Sequence, residues 1–485
     1  MINGRIILKV MSHLLVLEAL QLLACLAVSL YYGENCLSAF AVPIGVSLLI
    51  GIICEFAGRG AENRIGRREA CLIVSLTWLV FSAIGMLPFI VSGAVTRIPA
   101  AFLEAMSGFT TTGATVLTNI DSLPRGLLFW RSMTHWFGGM GIVFFTIAVL
   151  PTMGNGDLRL FSAETTGLKM EKIHPRISTT ARWLWGLYIC LTVACALGLY
   201  LSGMGLFDAI NHSMSTVATG GFSTHQDSIA WFHSPAVEYV ETVFMFLSGI
   251  NFTLLYLFFI KRRWRDVWND GELRCYVLIC LATVAFCAAW LYFSGKADVE
   301  ESVRTALFHT VSLQSTTGLT STDLMTWNPS TWLLLFFVMA VGGCAGSTSG
   351  GIKCVRIFTS WKIFSNELRH ILHPRAVIPV RIGGMTLRED VGHTIFAFFA
   401  AFFILVFTAS ITMMCMGMPM LDAVSLSITS FSNVGPAFGH AVGPLDSWGH
   451  LPDGVLWVNS FMMLAGRLEI FSLLLPFTVG FWREQ

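Results

Sequence analysis

The sequence is short of charge. It carries 30 Lys and Arg against 29 Asp and Glu among 485 residues, 12% in all, whereas a soluble globular chain has roughly 25%. Residues of the AVILMFWYC set make up 55%, more than a soluble core of this size could hide from water. The composition therefore excludes an ordinary soluble enzyme, and its hydrophobicity excludes a disordered scaffold. A net charge of +1 lacks the basic footprint of a nucleic-acid binder. Cysteine is scarce as well: the 12 cysteines lie mostly inside apolar runs, among them Cys25, Cys190, Cys195, Cys280, Cys287 and Cys415. There they serve as small buried hydrophobes, so free thiols are expected rather than a disulfide framework. No H-E-x-x-H and no Ser or Cys with a nearby helical His stands out, and an enzyme is not expected. What is left is a chain built for a bilayer.

A spanning helix needs about 20 mostly apolar residues. That length finds ten candidates, at 10–32, 39–57, 70–92, 128–150, 182–203, 237–260, 275–294, 331–356, 393–417 and 455–480. The first has a short basic flank, Arg5 and Lys9, but its apolar run is too long for a signal peptide and lacks a small-residue cleavage site. It reads as a retained helix. Lys and Arg concentrate in cytoplasmic loops. Here Arg97, Arg125, Arg131, Lys296 and Arg304 fall on one side, Arg467 lies within a span, and the other 24 fall on the opposite side. Both termini are therefore expected in the cytoplasm.

A repeat emerges on the outer side. After the third, fifth, seventh and ninth spans comes a semi-apolar stretch too short to cross a membrane, ending in a small-residue turn. The turns are Thr110, Thr111, Thr112 and Gly113; Val217, Ala218, Thr219 and Gly220; Ser315, Thr316, Thr317 and Gly318; and Ser432, Asn433, Val434 and Gly435. The repeat, about 100 residues long, reads helix, half-helix, loop, helix. Irregular backbone at membrane depth is tolerated only where protein buries it or it lines a watery cavity. Four such turns meeting on one axis can ring a dehydrated cation with carbonyl oxygens. Glycine permits the positive φ that this needs, and the threonine hydroxyls can add ligands or hold the loop. No Asp or Glu stands in the four turns, which favours a large, weakly hydrated monovalent ion such as K+.

These residues resemble the Trk/Ktr/HKT cation transporter family, in particular its bacterial TrkH-type membrane subunits. The likeness is carried by SGFTTTGAT at 107–115, RSMTHWFGGMGI at 131–142, NHSMSTVATGGFST at 211–224, LQSTTGLTSTD at 313–323, GGCAGSTSGGIK at 342–353 and GRLEIFSLLLPF at 466–477. It implies an all-α polytopic membrane protein in which four parallel helix, re-entrant loop, helix repeats surround a pseudo-fourfold pore. On that plan residues 1–69 form a two-helix extension and 70–180, 181–273, 274–390 and 391–485 the four repeats. The filter would be Thr111, Thr112 and Gly113; Ala218, Thr219 and Gly220; Thr316, Thr317 and Gly318; and Asn433, Val434 and Gly435, one glycine per repeat. The resemblance also implies potassium uptake across the bacterial inner membrane, no cofactor beyond the transported K+, a homodimer, and cytosolic nucleotide-binding subunits of the TrkA type. With fewer filter glycines than a TVGYG channel, weaker discrimination against Rb+ and Na+ is expected.

Two further features suit a gate. Glycines 342, 343, 346, 350 and 351 crowd the eighth span, each costing about 1 kcal/mol in a helix interior, so this span should unwind in mid-membrane. The spacing is not that of a nucleotide P-loop, because Ile352 precedes Lys353 and Cys354 follows it. A loop through Gly346, Ser347, Thr348, Ser349, Gly350, Gly351 and Lys353 would obstruct a pore below its filter, as the resemblance implies. Arg467 falls near the middle of the last span, where a charge is costly and marks a pathway. Facing the pore, it would repel cations. The rival is an alternating-access carrier coupling K+ to H+ or Na+, but such carriers are built from inverted repeats with broken helices at the midplane, and these repeats run parallel.

Overall fold

The computed structural model describes residues 2–61, 65–141, 177–373, 381–382, 385–386 and 389–483. The described residues are almost wholly helical, apart from a two-residue β-hairpin pairing Arg381–Ile382 with Met385–Thr386. Long apolar helices expose large side chains such as Leu278, Leu333, Phe396, Phe403 and Phe407 around the perimeter, while Ser, Thr and His gather inside. This inversion of the soluble pattern is the mark of a multi-pass membrane protein.

Gly4–Tyr31 and Leu37–Ala57 form an antiparallel pair. Gly51 sits against Ser12 and Leu15, Gly58 against Arg5 and Lys9, and Ser47 Oγ donates to Leu15 O at 2.8 Å. Without a hydrophobic drive between helices in lipid, such close approach by small residues supplies the packing.

Four similar units follow. Their entry helices are Arg67–Gly85, Ile177–Leu201, Gly271–Phe293 and Glu389–Cys415. The half-helices Ile98–Phe109, Leu206–Val217, Val299–Gln314 and Met420–Ser432 have 12, 12, 16 and 13 residues, too few to cross a bilayer. Return helices Arg125–Gly139, Pro235–Ser248, Pro329–Val341 and Asp453–Arg467 close each unit. All four half-helices end in their turns on one side of the protein, called here the turn side.

Within the described residues the ten expected spans coincide largely with helices, but the return spans are not continuous. Pro235–Ser248 and Phe252–Phe259 meet at 106°, and Asp453–Arg467 meets the segment Phe471–Phe477 at 115°. Asn251 caps the new helix in the first break, accepting from Thr253 N at 2.8 Å. In the second, Glu469 and Ile470 take positive φ of 50° and 64°, a strained backbone held by a fully buried Ile470. Arg467, expected near the middle of the last span, ends the helix at this bend. In the eighth span the helix stops at Val341 and resumes at Cys354, the glycines leaving an irregular loop between. Of the fourth span, 142–150 lies outside the described residues, as do the inner-loop cations Arg159, Lys169, Lys172 and Arg176. The 12 cysteines are unpaired; Cys190 and Cys415 are exposed, against the expectation that apolar runs would bury them.

Candidate functional site: four turns and a glycine-rich loop

Each half-helix ends the same way. The N–H of Thr112 reaches back to Ser107 O at 2.8 Å, Gly220 to Ser215 O at 2.8 Å, Thr317 to Ser312 O at 2.8 Å and Val434 to Thr429 O at 3.1 Å. The residue before each takes a left-handed φ: Thr111 56°, Thr219 55°, Thr316 60° and Asn433 54°. The residue after each is a glycine, Gly113 at 79°, Gly221 at 84°, Gly318 at 79° and Gly435 at 94°.

This pattern corrects the register of the second turn. Its positive-φ glycine is Gly221, and Gly220 stands where Thr112, Thr317 and Val434 stand. The sequence expectation aligned Thr-Gly with Thr-Gly, whereas the repeating unit is Thr-x-Gly or Asn-x-Gly. The four turns then close a ring in chain order. A side chain on Gly113 would collide with Gly220 O, one on Gly221 with Thr317 O, one on Gly318 with Val434 O, and one on Gly435 with Thr112 O. Glycine is required at these four places for two reasons, the positive φ and the neighbour's carbonyl.

The hydroxyls of the turns hold structure. Thr110 and Thr112 share a hydrogen bond of 2.9 Å, Ser315 and Thr317 one of 2.7 Å, and Asn433 Nδ2 donates to Thr112 Oγ1 at 3.0 Å and Met463 O at 2.9 Å. Thr111 and Thr316 instead receive donors from the far side of the ring, described below. On the turn side, a cavity lined by all four glycines opens beside Arg131, His225 and Asp446.

Buried charges support the loops that lead away from the ring. Arg131 Nε lies 2.9 Å from Glu104 Oε1, with both side chains almost wholly enclosed. The same carboxylate accepts from Val116 N at 2.8 Å and Thr115 Oγ1 at 3.0 Å, while Arg131 donates to Ser223 O at 2.8 Å. Nine residues before its glycine, as Glu104 is before Gly113, the second unit has His212, 3.7 Å from Glu241. The third has His309, whose Nε2 accepts from Ser321 N at 3.3 Å. An ionisable residue within a half-helix, a flag in any membrane segment, would have pointed to Glu104 and His212 from the sequence; neither was singled out.

The glycine-rich loop lies against the ring from the opposite side, touching the second, third and fourth units directly and the first through Arg467. Thr348 Oγ1 donates to Val217 O at 3.2 Å and Ser248 O at 3.3 Å. Gly350 N donates to Thr316 Oγ1 at 2.8 Å, and a side chain on Gly350 would strike Ser432 O. Arg467 completes the circle: Nη1 donates to Thr348 O and Thr111 Oγ1, both at 3.1 Å, and Nη2 to Gly138 O and to Gly139 O, the latter at 2.9 Å. Its guanidinium also faces the Trp78 ring at 5.6 Å.

The loop is anchored at its base. Ile352 N donates to Ala340 O at 2.9 Å, Cys354 N to Gly343 O at 2.8 Å and Cys344 N to Gly249 O at 2.9 Å. One oxygen of Glu272 accepts from both Ala345 N at 2.5 Å and Val355 N at 3.1 Å. Lys353, buried and at φ 78°, donates Nζ to Ser349 O. Glu469 pairs with Arg356, which stacks 4.0 Å from the Phe398 ring. The expected loop residues 346–351, Lys353 and Arg467 are thus brought together with the turns. Glu272, Arg356 and Glu469 join them without having been foreseen, because their partners are 83 and 113 residues away.

A family model described as a cation transport protein, TrkH, matches residues 39–481. The Trk system potassium uptake protein TrkH of Halomonas elongata is 37% identical over 482 residues, covering 99% of both chains. Its namesake from Escherichia coli (strain K12) is 38% identical over 460 residues, 94% of this chain and 95% of that one. The crystal structure of the potassium transporter TrkH from Vibrio parahaemolyticus superposes with a TM-score of 0.89 at 36% identity, covering 99% and 100% of the two chains. The chain belongs to the TrkH family. Its four-unit fold is that of a TrkH protein, and the family identification drawn from the motifs stands.

Two details of this TrkH-family site can be tested directly. A side chain on Gly220 would run into the imidazole of His135, which stacks on Phe222 at 4.1 Å and meets Ser215 Oγ at 3.0 Å. Gly220→Ala should therefore be rescued by a second change, His135→Ala, whereas Gly221→Ala, blocked by backbone, should not. Rb+ flux of the single and double variants measures this; equal rescue at both positions would refute the corrected register.

On the turn side, His225 ties two loops together. Nδ1 lies 2.6 Å from Asp121 Oδ1, Nε2 lies 3.8 Å from Asp208 Oδ1, and the ring stacks on Trp231 at 3.6 Å. Partial burial lowers the imidazole pKa, but the hydrogen bond to Asp121 and the attraction of the Asp208 and Asp121 carboxylates outweigh it and the net shift is upward from 6.5. A raised folded-state value stabilises fully below the unfolded value, and the gain is lost as pH rises through the folded one. His225→Ala should cost about 1 kcal/mol below pH 6, allowing for the exposure of Asp121, and progressively less in alkali. Thermal melts of both proteins across pH would show it, and a pH-independent difference would refute it.

Proposed function

We propose that this protein takes up potassium across the bacterial inner membrane by conduction through the ring of Thr112, Gly220, Thr317 and Val434 carbonyls, and that the glycine-rich loop with Arg467 closes it. The ring carries this reading. Four glycines, each packed against the next turn's carbonyl, leave oxygens and no carboxylates at the point of closest approach, which suits a large monovalent cation shedding its water. Thr111, Thr316 and Asn433 act as supports. The loop's hydrogen bonds to the turns on the far side of the ring, and the positive charge that Arg467 adds there, support the reading of a closed gate. The names of the relatives support potassium as the ion.

The turn side faces out and both termini lie in the cytoplasm, following the distribution of Lys and Arg. A homodimer and cytosolic nucleotide-binding subunits of the TrkA type remain the partners that the family resemblance implies; the basic loop side offers the second a docking face. Full-length protein in liposomes tests the function. Rb+ uptake driven by a K+ gradient alone, with no counter-substrate, is expected, and obligatory stoichiometric exchange with H+ or Na+ would favour an alternating-access carrier instead.

A further inference from the structure

Away from the axis, an apolar groove of about 320 Å³ opens on the turn side. It lies between the end of the first helix, the start of the first return helix and the start of the second half-helix. Val28, Tyr32, Phe129, Phe207 and Ile210 form its walls, and Tyr31 beside them is 83% exposed. Tyrosines at a helix end mark the level where head groups meet acyl chains. The groove thus straddles that boundary.

Two polar groups are set into it. Asn211 is 1% exposed, and its Nδ2 donates to Phe207 O at 2.7 Å. Its Oδ1 has no hydrogen-bond partner among the described residues, a costly state for a buried acceptor. At the rim the Arg125 guanidinium lies over the rings of Tyr32 at 4.3 Å and Phe207 at 5.4 Å. The Glu34 carboxylate accepts the backbone N–H groups of Arg125, at 2.5 Å, and Gly126, at 3.0 Å. The guanidinium fork itself makes no hydrogen bond among the described residues.

We infer that this groove holds one anionic phospholipid of the phosphatidylglycerol class from the outer leaflet. One acyl chain lies along Val28, Phe129 and Ile210. The phosphate takes the fork of Arg125, whose planar donors match it. Phe207, Ile210 and Asn211 belong to the half-helix that ends at Val217, so the lipid braces the element that carries the second turn.

Native mass spectrometry of the purified full chain, titrated with dioleoyl phosphatidylglycerol or dioleoyl phosphatidylcholine, tests this. The wild type should retain one phosphatidylglycerol per chain about tenfold more readily than phosphatidylcholine. Arg125→Gln should lose the preference, and Ala27→Trp, which fills the groove from its exposed wall, should lose retention of both. Equal retention of the two lipids by the wild type, or undiminished retention by Ala27→Trp, overturns the assignment. So does a wild-type dimer that Ala27→Trp splits into monomers with its lipid count unchanged, because a second copy of the chain then fills the groove. Should Ala27→Trp aggregate, the ratio of the two lipids in wild type and Arg125→Gln decides alone.

Discussion

Replacing Arg467 with alanine should raise basal Rb+ flux at least tenfold. Two effects act in the same direction. A guanidinium ~5 Å from a permeating cation raises its energy by ~3 kcal/mol at an effective dielectric of ~20, roughly a hundredfold in rate. The substitution also removes the donors that join Thr348 O of the loop to Thr111 of the first turn and to the carbonyls of Gly138 and Gly139. Arg467→Lys keeps the charge but not the fork, so its flux should lie between those of wild type and Arg467→Ala. Deleting residues 345–350 should open the path as well. The loop base is already closed by the bond from Cys354 N to Gly343 O, so excision removes the part lying under the ring while leaving the helix ends near one another. Liposomes loaded with K+ and supplied with 86Rb+ report all three. Unchanged basal flux in both Arg467→Ala and the deletion would remove loop and arginine from the conduction path.

The second large effect is expected at Gly318. Serine there meets a backbone at φ 79°, a conformation costing about 1–3 kcal/mol for a residue with a Cβ. That Cβ also falls on Val434 O and close to the Pro436 ring. The third turn cannot keep both its φ and its distance from the fourth, so the carbonyl ring must distort. Rb+ flux should fall about tenfold or more, and the ratio of Rb+ to Na+ flux should fall with it, since a distorted ring no longer fits the larger ion. Gly221→Ser should behave alike, through Thr317 O. Flux and ratio both unchanged in Gly318→Ser would separate the ring from selectivity.

How far the sequence could lead differs between elements for physical reasons. Apolar length and the paucity of charge located the long helices, because a bilayer leaves the backbone few alternatives; among the described residues six are long and apolar enough to cross, or eight if each bent pair is one span. The short stretches before Gly113 and Gly318 were recognisable as half-helices by length alone, and the glycines at 342–351 announced a loop by propensity. The bends were not legible. Glu469 and Ile470 carry positive φ in a stretch of good helix formers, and only the tertiary packing around Ile470 and the pairing of Glu469 with Arg356 explain why the helix stops there. The one-residue shift in the second turn arose where two glycines adjoin. Gly220 is small for the sake of His135, a residue 85 positions earlier on another helix, and Gly221 for the sake of the ring. A local pattern cannot distinguish those reasons, but the neighbour's carbonyl can. Glu272, which holds both ends of the loop with one carboxylate oxygen, likewise looked like an ordinary first-turn acid of its helix.

The central claim is that a dehydrated monovalent cation sits within the ring of the four turns. An anomalous density map of the protein soaked in Tl+ or Rb+ tests it most directly. Peaks on the axis, within coordination distance of the carbonyl oxygens of Thr112, Gly220, Thr317 and Val434 and weakened by competing K+, are the predicted result. Anomalous peaks found only elsewhere, with none at the ring while the ion demonstrably crosses the membrane through the protein, would contradict it.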